Sequence, residues 1–204
     1  MARRHADVFL DALNREGFAE PNPRPVFPNP SGLLRVEPHA KDLRDRVWWG
    51  AGSDATAVWA AEKGMSRQSS TPESDEGALP FHVQQAKQIR AFREAWKTAG
   101  HKREPRVSVS RGIFALVDER DRVFFGRGNQ AEDSIGYIDK TTRAIFGRSY
   151  AAEPDVLIKE LGNDEAIAEA DTLLLTVPNQ LGVDYNAHVC ESILKYVAPA
   201  LGWR

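Results

Sequence analysis

The chain has 204 residues, a formal net charge of −2, 42% hydrophobic residues, 27% charged residues and a single cysteine. This length and composition are typical of one globular domain with a sizeable core, and one cysteine excludes an internal disulfide framework and favours a cytoplasmic location. The slightly acidic balance argues against nucleic acid as the main partner, and no segment approaches the roughly 20 apolar residues that span a membrane.

The first 45 residues predict one helix and one proline-rich segment. Residues 5–16 have the apolar spacing of an amphipathic helix, with Val8, Phe9 and Leu13 on one side. Residues 18–45 contain six prolines, which exclude a long helix or a central strand. We expect this segment to run extended over a surface.

A strand, a turn and a helix are predicted next. Residues 46–49 are apolar enough for a strand, residues 50–52 form a Gly-Ala-Gly turn, and the helix is expected over 54–63. Ser53 is a good N-cap for this helix, and Gly64 is a good C-terminal stop.

The remaining residues continue the same alternation of strands and helices. The predicted elements are a polar strand over 65–70, a polar loop over 71–80, a helix from Pro80 to Ala99 ended by Gly100, a strand over 106–117, a short helix over 119–125 capped by Asp118, an irregular segment over 126–150, short helices over 153–161 and 164–170, a strand over 172–177 and a last helix over 185–199. The continuously apolar strand 172–177 is expected to be buried on both faces. Alternating strands and helices predict an α/β fold with parallel strands.

The turn between the first strand and its helix is the strongest candidate site. Glycine lets the backbone approach a ligand closely, and the first amides of a helix, together with its dipole, attract an anion. Ser53 and Thr56 are three residues apart, so both hydroxyls can face the same anion from the first helical turn. Ordinary helix capping by Ser53 explains the same residues, and both interpretations stay open.

A dinucleotide site is a second interpretation of this turn, because residues 50–55 satisfy the G-x-G-x-x-A pattern of NAD(P)-binding Rossmann domains. Two features argue against it. Trp48 and Trp49 occupy the preceding strand, where small β-branched residues are usual, and the strand over 65–70 does not end in the acidic residue that would hold a ribose.

The wider sequence resembles the luciferase-like flavin-dependent monooxygenases of the bacterial luciferase family. The resemblance depends on Ser53, Thr56 and Trp59-Ala60-Ala61 after the first strand, and on the closing segments TVPNQLG and VAPALGW. It covers nearly the whole chain, from about residue 5 to the end.

The resemblance implies the C-terminal half of a (β/α)8 TIM barrel, with parallel strands five to eight and their helices. Residues 1–17 would be the end of the fourth helix, residues 18–45 a proline-rich insertion, and residues 46–204 the part from strand five to helix eight. Four strands do not close such a barrel, which leaves open sheet edges. Arg67 and Gln68 depart from the family pattern, since a buried barrel strand favours apolar side chains.

The resemblance also implies a function: oxidation of a small organic substrate with reduced flavin and oxygen. The amide of Gly52 and the hydroxyls of Ser53 and Thr56 would bind the phosphate of FMN, and Ser70 and Thr71 would line the flavin ring. The deazaflavin F420 is an alternative cofactor at a similar site.

The resemblance leaves the partners and the chemistry of this chain open. The main catalytic residues of the family lie on strands one to four, so a non-catalytic fragment is an alternative to an enzyme. A flavin reductase, a second copy of the chain or a complementing N-terminal half are the expected partners. Arg143 and Arg148 are further candidates to reach the phosphate, and five scattered histidines predict no metal site.

Overall fold

The structure, a computed structural model, describes residues 2–14, 16–24, 26–29, 31–74, 79–126 and 132–203. By its contacts the chain divides into two units, Met1–Trp48 and Trp49–Arg204. The helices are α1 Ala2–Asn14, α2 Asp54–Glu62, α3 Phe81–Ala99, α4 Glu119–Phe125, α5 Pro154–Gly162, α6 Glu165–Glu169 and α7 Gly182–Tyr196. The strands are β1 Trp48–Ala51, β2 Ser66–Ser69, β3 Pro72–Ser74, β4 Val107–Arg111, β5 Ile113–Ala115, β6 Ser134–Tyr137, β7 Arg143–Phe146, β8 Tyr150–Ala152 and β9 Thr172–Leu175.

Helix α1 is present, but its buried side differs from the predicted one. Its buried residues are Ala6, Leu10 and Leu13, which share one side of a helix of 3.6 residues per turn. Val8 and Phe9 are 65% and 52% exposed, so their assignment to the buried side is wrong.

The proline-rich segment has little regular structure, as its composition predicts. Its described residues contain one isolated antiparallel bridge, between Ala19 and Leu34, and a 3-10 helix at Leu43–Arg46. Because Arg46 belongs to that 3-10 helix, the first strand begins two residues later than predicted and includes Gly50 and Ala51. Only Gly52 and Ser53 remain as the connection to α2.

Four strands form the central sheet, in the order β1-β2-β4-β9. Strand β4 pairs in parallel with β2 on one side and with β9 on the other. The mixed α/β fold with parallel strands is therefore confirmed. Because parallel strands end at the same edge of a sheet, the residues that follow β2, β4 and β9 lie together.

In the described residues, two smaller sheets take most of their strands from segments where no strand was predicted. The antiparallel sheet β3-β7-β6 and the parallel pair β5-β8 both use residues between 126 and 152. The prediction of an irregular segment over 126–150 is thus wrong for its described part, and residues 72–74 of the predicted polar loop form a strand. Residues 75–78 and 127–131 of those two predictions lie outside the described residues.

The predicted strand over 106–117 divides at Gly112 into β4 and β5. The amide of Tyr150 donates to the carbonyl oxygen of Gly112 at 2.8 Å, so the chain leaves the central sheet here and pairs with β8. A Cβ on Gly112 would lie 3.0 Å from Oγ of Ser149. The close approach of this neighbour explains why glycine suits the division.

Helices α2, α3, α6 and α7 contact one face of the central sheet. Arg67 of β2 and Arg111 of β4 bond α3 residues from this face, and Leu173 and Leu175 of β9 pack against the core cluster that includes α7. Leu174 points the other way and is 45% exposed, so the prediction that this strand is buried on both faces is wrong. Within the described residues, no helix is both long and apolar enough to cross a membrane.

Candidate functional site

The turn after β1 places Ser53 and Thr56 side by side. Ser53 is the N-cap of α2 and accepts a hydrogen bond from the Thr56 amide at 3.4 Å. Its hydroxyl donates to Oγ1 of Thr56 at 3.0 Å, and both side chains are half-buried. The two hydroxyls therefore converge at the positive end of a nine-residue helix, which is the arrangement a phosphate would use.

Gly52 lies where the ends of β1 and β2 meet. A Cβ at this position would lie 3.0 Å from the Pro72 carbonyl oxygen and 3.2 Å from Cβ of Ser70. The amide of Ser70 donates to the carbonyl oxygen of Ala51, and that of Ser74 donates to the carbonyl oxygen of Gly52. The structure thus brings Gly52 and Ser70 together, and this packing favours glycine even without a ligand.

The charges beside this turn are balanced. Asp54, in the first turn of α2, interacts favourably with the helix dipole and forms an ion pair with Lys87 of α3 at 3.4 Å. The donor set of Ser53, Thr56 and the helix N-terminus fits a phosphate, because the Lys87 ammonium offsets the Asp54 charge. It also fits plain capping, so both interpretations of the sequence stay open.

Thr71 lies in a different setting from Ser53 and Thr56. It lines a cavity of about 350 Å³ at the ends of β4 and β9, together with aromatic, hydroxyl and arginine side chains. These side chains are Phe81, Ser110, Arg111, Phe114, Phe125, Arg148, Ser149 and Thr176. A cavity at the carboxyl ends of parallel strands is the usual position of a ligand site in α/β folds.

A second cavity, of about 320 Å³, shares Phe81, Arg111 and Arg148 with the first. It is more acidic, since Glu132, Asp133 and Glu160 line it as well. The carboxylate of Asp133 accepts from the amides of Phe81 and Arg148, at 2.8 and 3.0 Å, and so fixes the two residues between the cavities.

Arg111 is held by a buried polar network that joins β4 to α3 and α6. Its guanidinium donates to both carboxylate oxygens of Asp164, at 2.8 and 3.0 Å, and to Oε1 of Gln85 at 2.9 Å. The hydroxyl of Tyr150 donates to Asp164 at 2.7 Å. These bonds hold the guanidinium at the border of both cavities, with its Cζ 5.4 Å from the centroid of the Phe81 ring.

The titration of this network reflects burial and pairing. Burial alone would raise the pKa of Asp164, but hydrogen bonds and the charge of Arg111 outweigh it and the pKa is lowered. Burial, together with the Asp164 charge and the bond to it, raises the pKa of Tyr150 to about 12. Near neutral pH the network therefore consists of an arginine–aspartate ion pair and a neutral tyrosine.

Comparisons with known proteins support the fold. The structure is similar to the crystal structure of monooxygenase RslO1 from Streptomyces bottropensis, with a TM-score of 0.62 and 14% sequence identity over 96% of this chain and 59% of that one. The chain therefore shares the fold of the matched part of that protein. It is also similar to apo-MsnO8, with a TM-score of 0.51 and 13% identity over 99% of this chain and 60% of that one.

The likeness stops at the fold, because the identities are low. The chain spans about 60% of the length of these two solved chains. No protein-family model matches the sequence, and no curated protein sequence matches it.

Two arginines singled out by the sequence lie in different places. Arg148 borders both cavities and stacks over the Tyr150 ring at 4.4 Å. Arg143 is exposed on β7, opposite Tyr137 of β6. Arg111 and Asp164 were not predicted as site residues. Arg111 is the last residue of β4 and Asp164 is the N-cap of α6, and a charge at the end of a strand and an ordinary helix cap do not indicate a site in the sequence.

Arg67 is fully buried, although a buried barrel strand is expected to carry apolar side chains. Its guanidinium donates to Oε1 of Gln88 at 2.7 Å and to the hydroxyl of Ser69. Burial lowers its pKa to about 10, and the charges of Glu73 and Asp54 limit the decrease. The arginine is accommodated because polar residues of α3 and β2 surround it.

Asp118, Asp121 and His188 form the one group with metal-ligand spacing found among the described residues, with ligand atoms within 4.8 Å. Asp121 is already engaged. One oxygen accepts from the amides of Val117 and Asp118, and the other accepts from the Tyr185 hydroxyl at 2.6 Å and contacts Nε2 of His188 at 3.0 Å. Asp118 and Asp121 of this group form the capping box of α4.

Proposed function

We propose that the chain binds the phosphate of a flavin at the turn after β1 and forms part of a flavin-dependent monooxygenase. The observation that carries this proposal is the convergence of the Ser53 and Thr56 hydroxyls, 3.0 Å apart, at the N-terminus of α2 in a monooxygenase-like fold. The sequence resemblance to luciferase-like enzymes assigns the same residues to the phosphate.

The residues have distinct roles in this proposal. The amide of Gly52 and the hydroxyls of Ser53 and Thr56 hold the phosphate, and Lys87 offsets the charge of Asp54 beside it. Ser70, next to Gly52, and Thr71, at the cavity, lie along the flavin ring. FMN is the proposed cofactor, with F420 as the alternative. When bound, a reduced flavin supplies the electrons with which one oxygen atom enters the substrate.

The proposed partners follow from this chemistry. A small organic substrate occupies the cavity, and a cytoplasmic flavin reductase supplies reduced flavin. A second copy of the chain, or a complementing half with further strands, completes the sheet. A chain that binds flavin but consumes no oxygen with such a reductase would instead be a non-catalytic fragment.

Ser53→Asp separates phosphate binding from capping. Aspartate caps a helix as well as serine does, but its charge repels a phosphate. We expect the unchanged protein to bind FMN at least about tenfold more tightly than riboflavin, which lacks the phosphate, and Ser53→Asp to abolish this difference without lowering the melting temperature. Flavin fluorescence quenching measures both affinities.

Ser53→Ala is the matched control, because it removes the cap without adding charge. It should destabilise α2 by about 1 kcal/mol and keep part of the preference for FMN. Equal affinities for FMN and riboflavin in the unchanged protein would contradict the proposal. Parallel titrations with F420 and NADPH distinguish the alternatives, and tight binding of NADPH alone would favour a Rossmann-type site.

A further inference from the structure

We propose that the 350 Å³ cavity at the ends of β4 and β9 binds a planar aromatic carboxylate, with Arg148 facing its carboxylate group. Binding of such a ligand depends on the cavity alone. Its role as the substrate rests on the proposed function, because Thr71 belongs both to the cavity and to the proposed flavin site.

The walls of the cavity suit a flat apolar ring. Phe114 and Phe125 stack in parallel, with centroids 3.8 Å apart and an interplanar angle of 4°. Phe81, which is buried, contributes a third ring, and Val177 and Pro178 contribute aliphatic surface. Aromatic ligands gain by stacking on such faces as well as by burial of their own surface. The volume of about 350 Å³ lies at the lower end of the range for small-molecule sites, which suits a ligand of about two fused rings.

The charged residues of the lining are both arginines. Among the described lining residues there is no carboxylate. The charge of Arg111 is balanced by its two bonds to buried Asp164. Arg148 is more accessible, with a side chain 30% exposed and 3.4 Å from its partner Glu160. A carboxylate that enters the cavity therefore meets Arg148 as the more accessible of the two guanidinium groups.

Hydroxyl groups provide the remaining specificity. Oγ of Ser110 and Oγ1 of Thr176 lie 3.0 Å apart across β4 and β9, and Ser149 adds a third hydroxyl to the lining. Each can donate to or accept from a polar substituent on the ring. The cavity thus combines a flat apolar wall, one accessible cation and several adaptable hydroxyls, which together match an aromatic acid better than a neutral or cationic ligand.

The test compares 2-naphthoate with the neutral 2-naphthamide, which has nearly the same shape. Isothermal titration to the full chain should give an affinity for 2-naphthoate at least about tenfold higher than for the amide. Arg148→Met should remove this difference and leave amide binding unchanged, because methionine keeps much of the apolar stem. Arg90→Met is the control, since Arg90 also pairs with a glutamate but lies on the exposed side of α3.

A second variant, Thr176→Glu, tests the inference even if Arg148→Met does not fold. Thr176 is exposed, so Thr176→Glu should fold normally and place a negative charge at the cavity. We expect it to weaken binding of 2-naphthoate at least about tenfold more than it weakens binding of the amide. Equal affinities of the two probes, or no effect of either variant on the carboxylate preference, would overturn the inference.

Titrations with and without saturating FMN distinguish this inference from the proposed function. Binding of 2-naphthoate that FMN leaves unchanged supports a separate substrate site. Mutually exclusive binding overturns the inference, because the cavity then holds the flavin itself, and leaves the flavin proposal intact. Binding of 2-naphthoate by a chain that binds no FMN supports the carboxylate site and contradicts the flavin proposal.

Discussion

Asp164 illustrates how one buried carboxylate fixes the border of the two cavities. It is 1% exposed and accepts hydrogen bonds from Arg111, Tyr150 and the amide of Ile167. Replacing it by asparagine removes the charge and leaves the Arg111 guanidinium buried without its counter-ion. We expect Asp164→Asn to lower the free energy of unfolding at neutral pH by about 3 kcal/mol, measured by urea denaturation.

The pH dependence of the same variant provides an internal check. The pKa of Asp164 is lowered from its ordinary value of 3.8, so folding favours the ionised form. Its stabilisation is complete above that ordinary value and is lost as the pH falls through the lower folded value. The difference between the unchanged protein and Asp164→Asn should therefore shrink below about pH 4. Asp155→Asn is the control, because Asp155 is exposed. A loss of stability by Asp164→Asn that stays constant down to pH 2, or that equals the loss by Asp155→Asn, would contradict this role.

At the level of single residues, the sequence was informative only where partners are near in the chain. Ser53 and Thr56 are three residues apart, so helix geometry alone predicts their contact, and the structure shows it. Arg111 and Asp164 are 53 positions apart. Nothing local indicates that they pair, because their contact depends on how α6 packs beside β4.

The connection between α2 and β2 depends on one glycine, as the sequence predicts. Gly64 has a φ of +66°, and an added Cβ would lie 3.0 Å from Cε1 of His101. The ring of His101 is itself held, with Nε2 2.8 Å from the carbonyl oxygen of Ala61. Gly64→Ala should therefore lower the free energy of unfolding by about 1–2 kcal/mol.

Gly50 in β1 is the matched control for this prediction. A Cβ there meets nothing within 4 Å, and its φ lies outside the left-handed region. Gly50→Ala should change stability by no more than about 0.5 kcal/mol. Thermal melts of both variants measure the difference, and similar melting temperatures would show that the left-handed turn adds no strain.

The elements that the sequence predicted correctly are those with local boundary signals. Helix α3 begins after Pro80 and ends at Gly100, which has a φ of +72°, and α4 begins at its cap Asp118. The strands β3, β6, β7 and β8 were missed, because they lie outside the alternation of strands and helices on which the prediction depended. Pairing stabilises these strands, and β3 pairs with β7 about 70 residues further along the chain.

The two faces of the central sheet differ, which sequence patterns could not reveal in full, because the helix-covered face combines apolar side chains with the buried Arg67 and Arg111. On the face away from the helices, Gln68, Ser108 and Thr172 align across β2, β4 and β9. A closed barrel fills its interior with layers of branched apolar residues. The row of Gln68, Ser108 and Thr172 departs from that pattern, since its side chains are polar although Ser108 is buried and the other two are half-buried. The half-barrel interpretation stays a prediction, since the chain spans only about 60% of its solved neighbours.

The edges of this sheet lead to a prediction about assembly. In the part of the chain that the structure describes, β9 is an end strand and pairs only with β4. An end strand offers free backbone donors and acceptors, and Leu174 adds exposed apolar surface. We expect the purified chain to self-associate through β9. Leu174→Lys should weaken this association at least about tenfold, because a charged side chain on an edge opposes strand pairing.

Sedimentation velocity over a range of concentrations measures this association. Leu194→Lys removes an even more exposed leucine, on α7 rather than on a strand, and should leave the association unchanged. A chain that is monomeric at every concentration, or an association weakened equally by both substitutions, would show that the strand edge is not the contact.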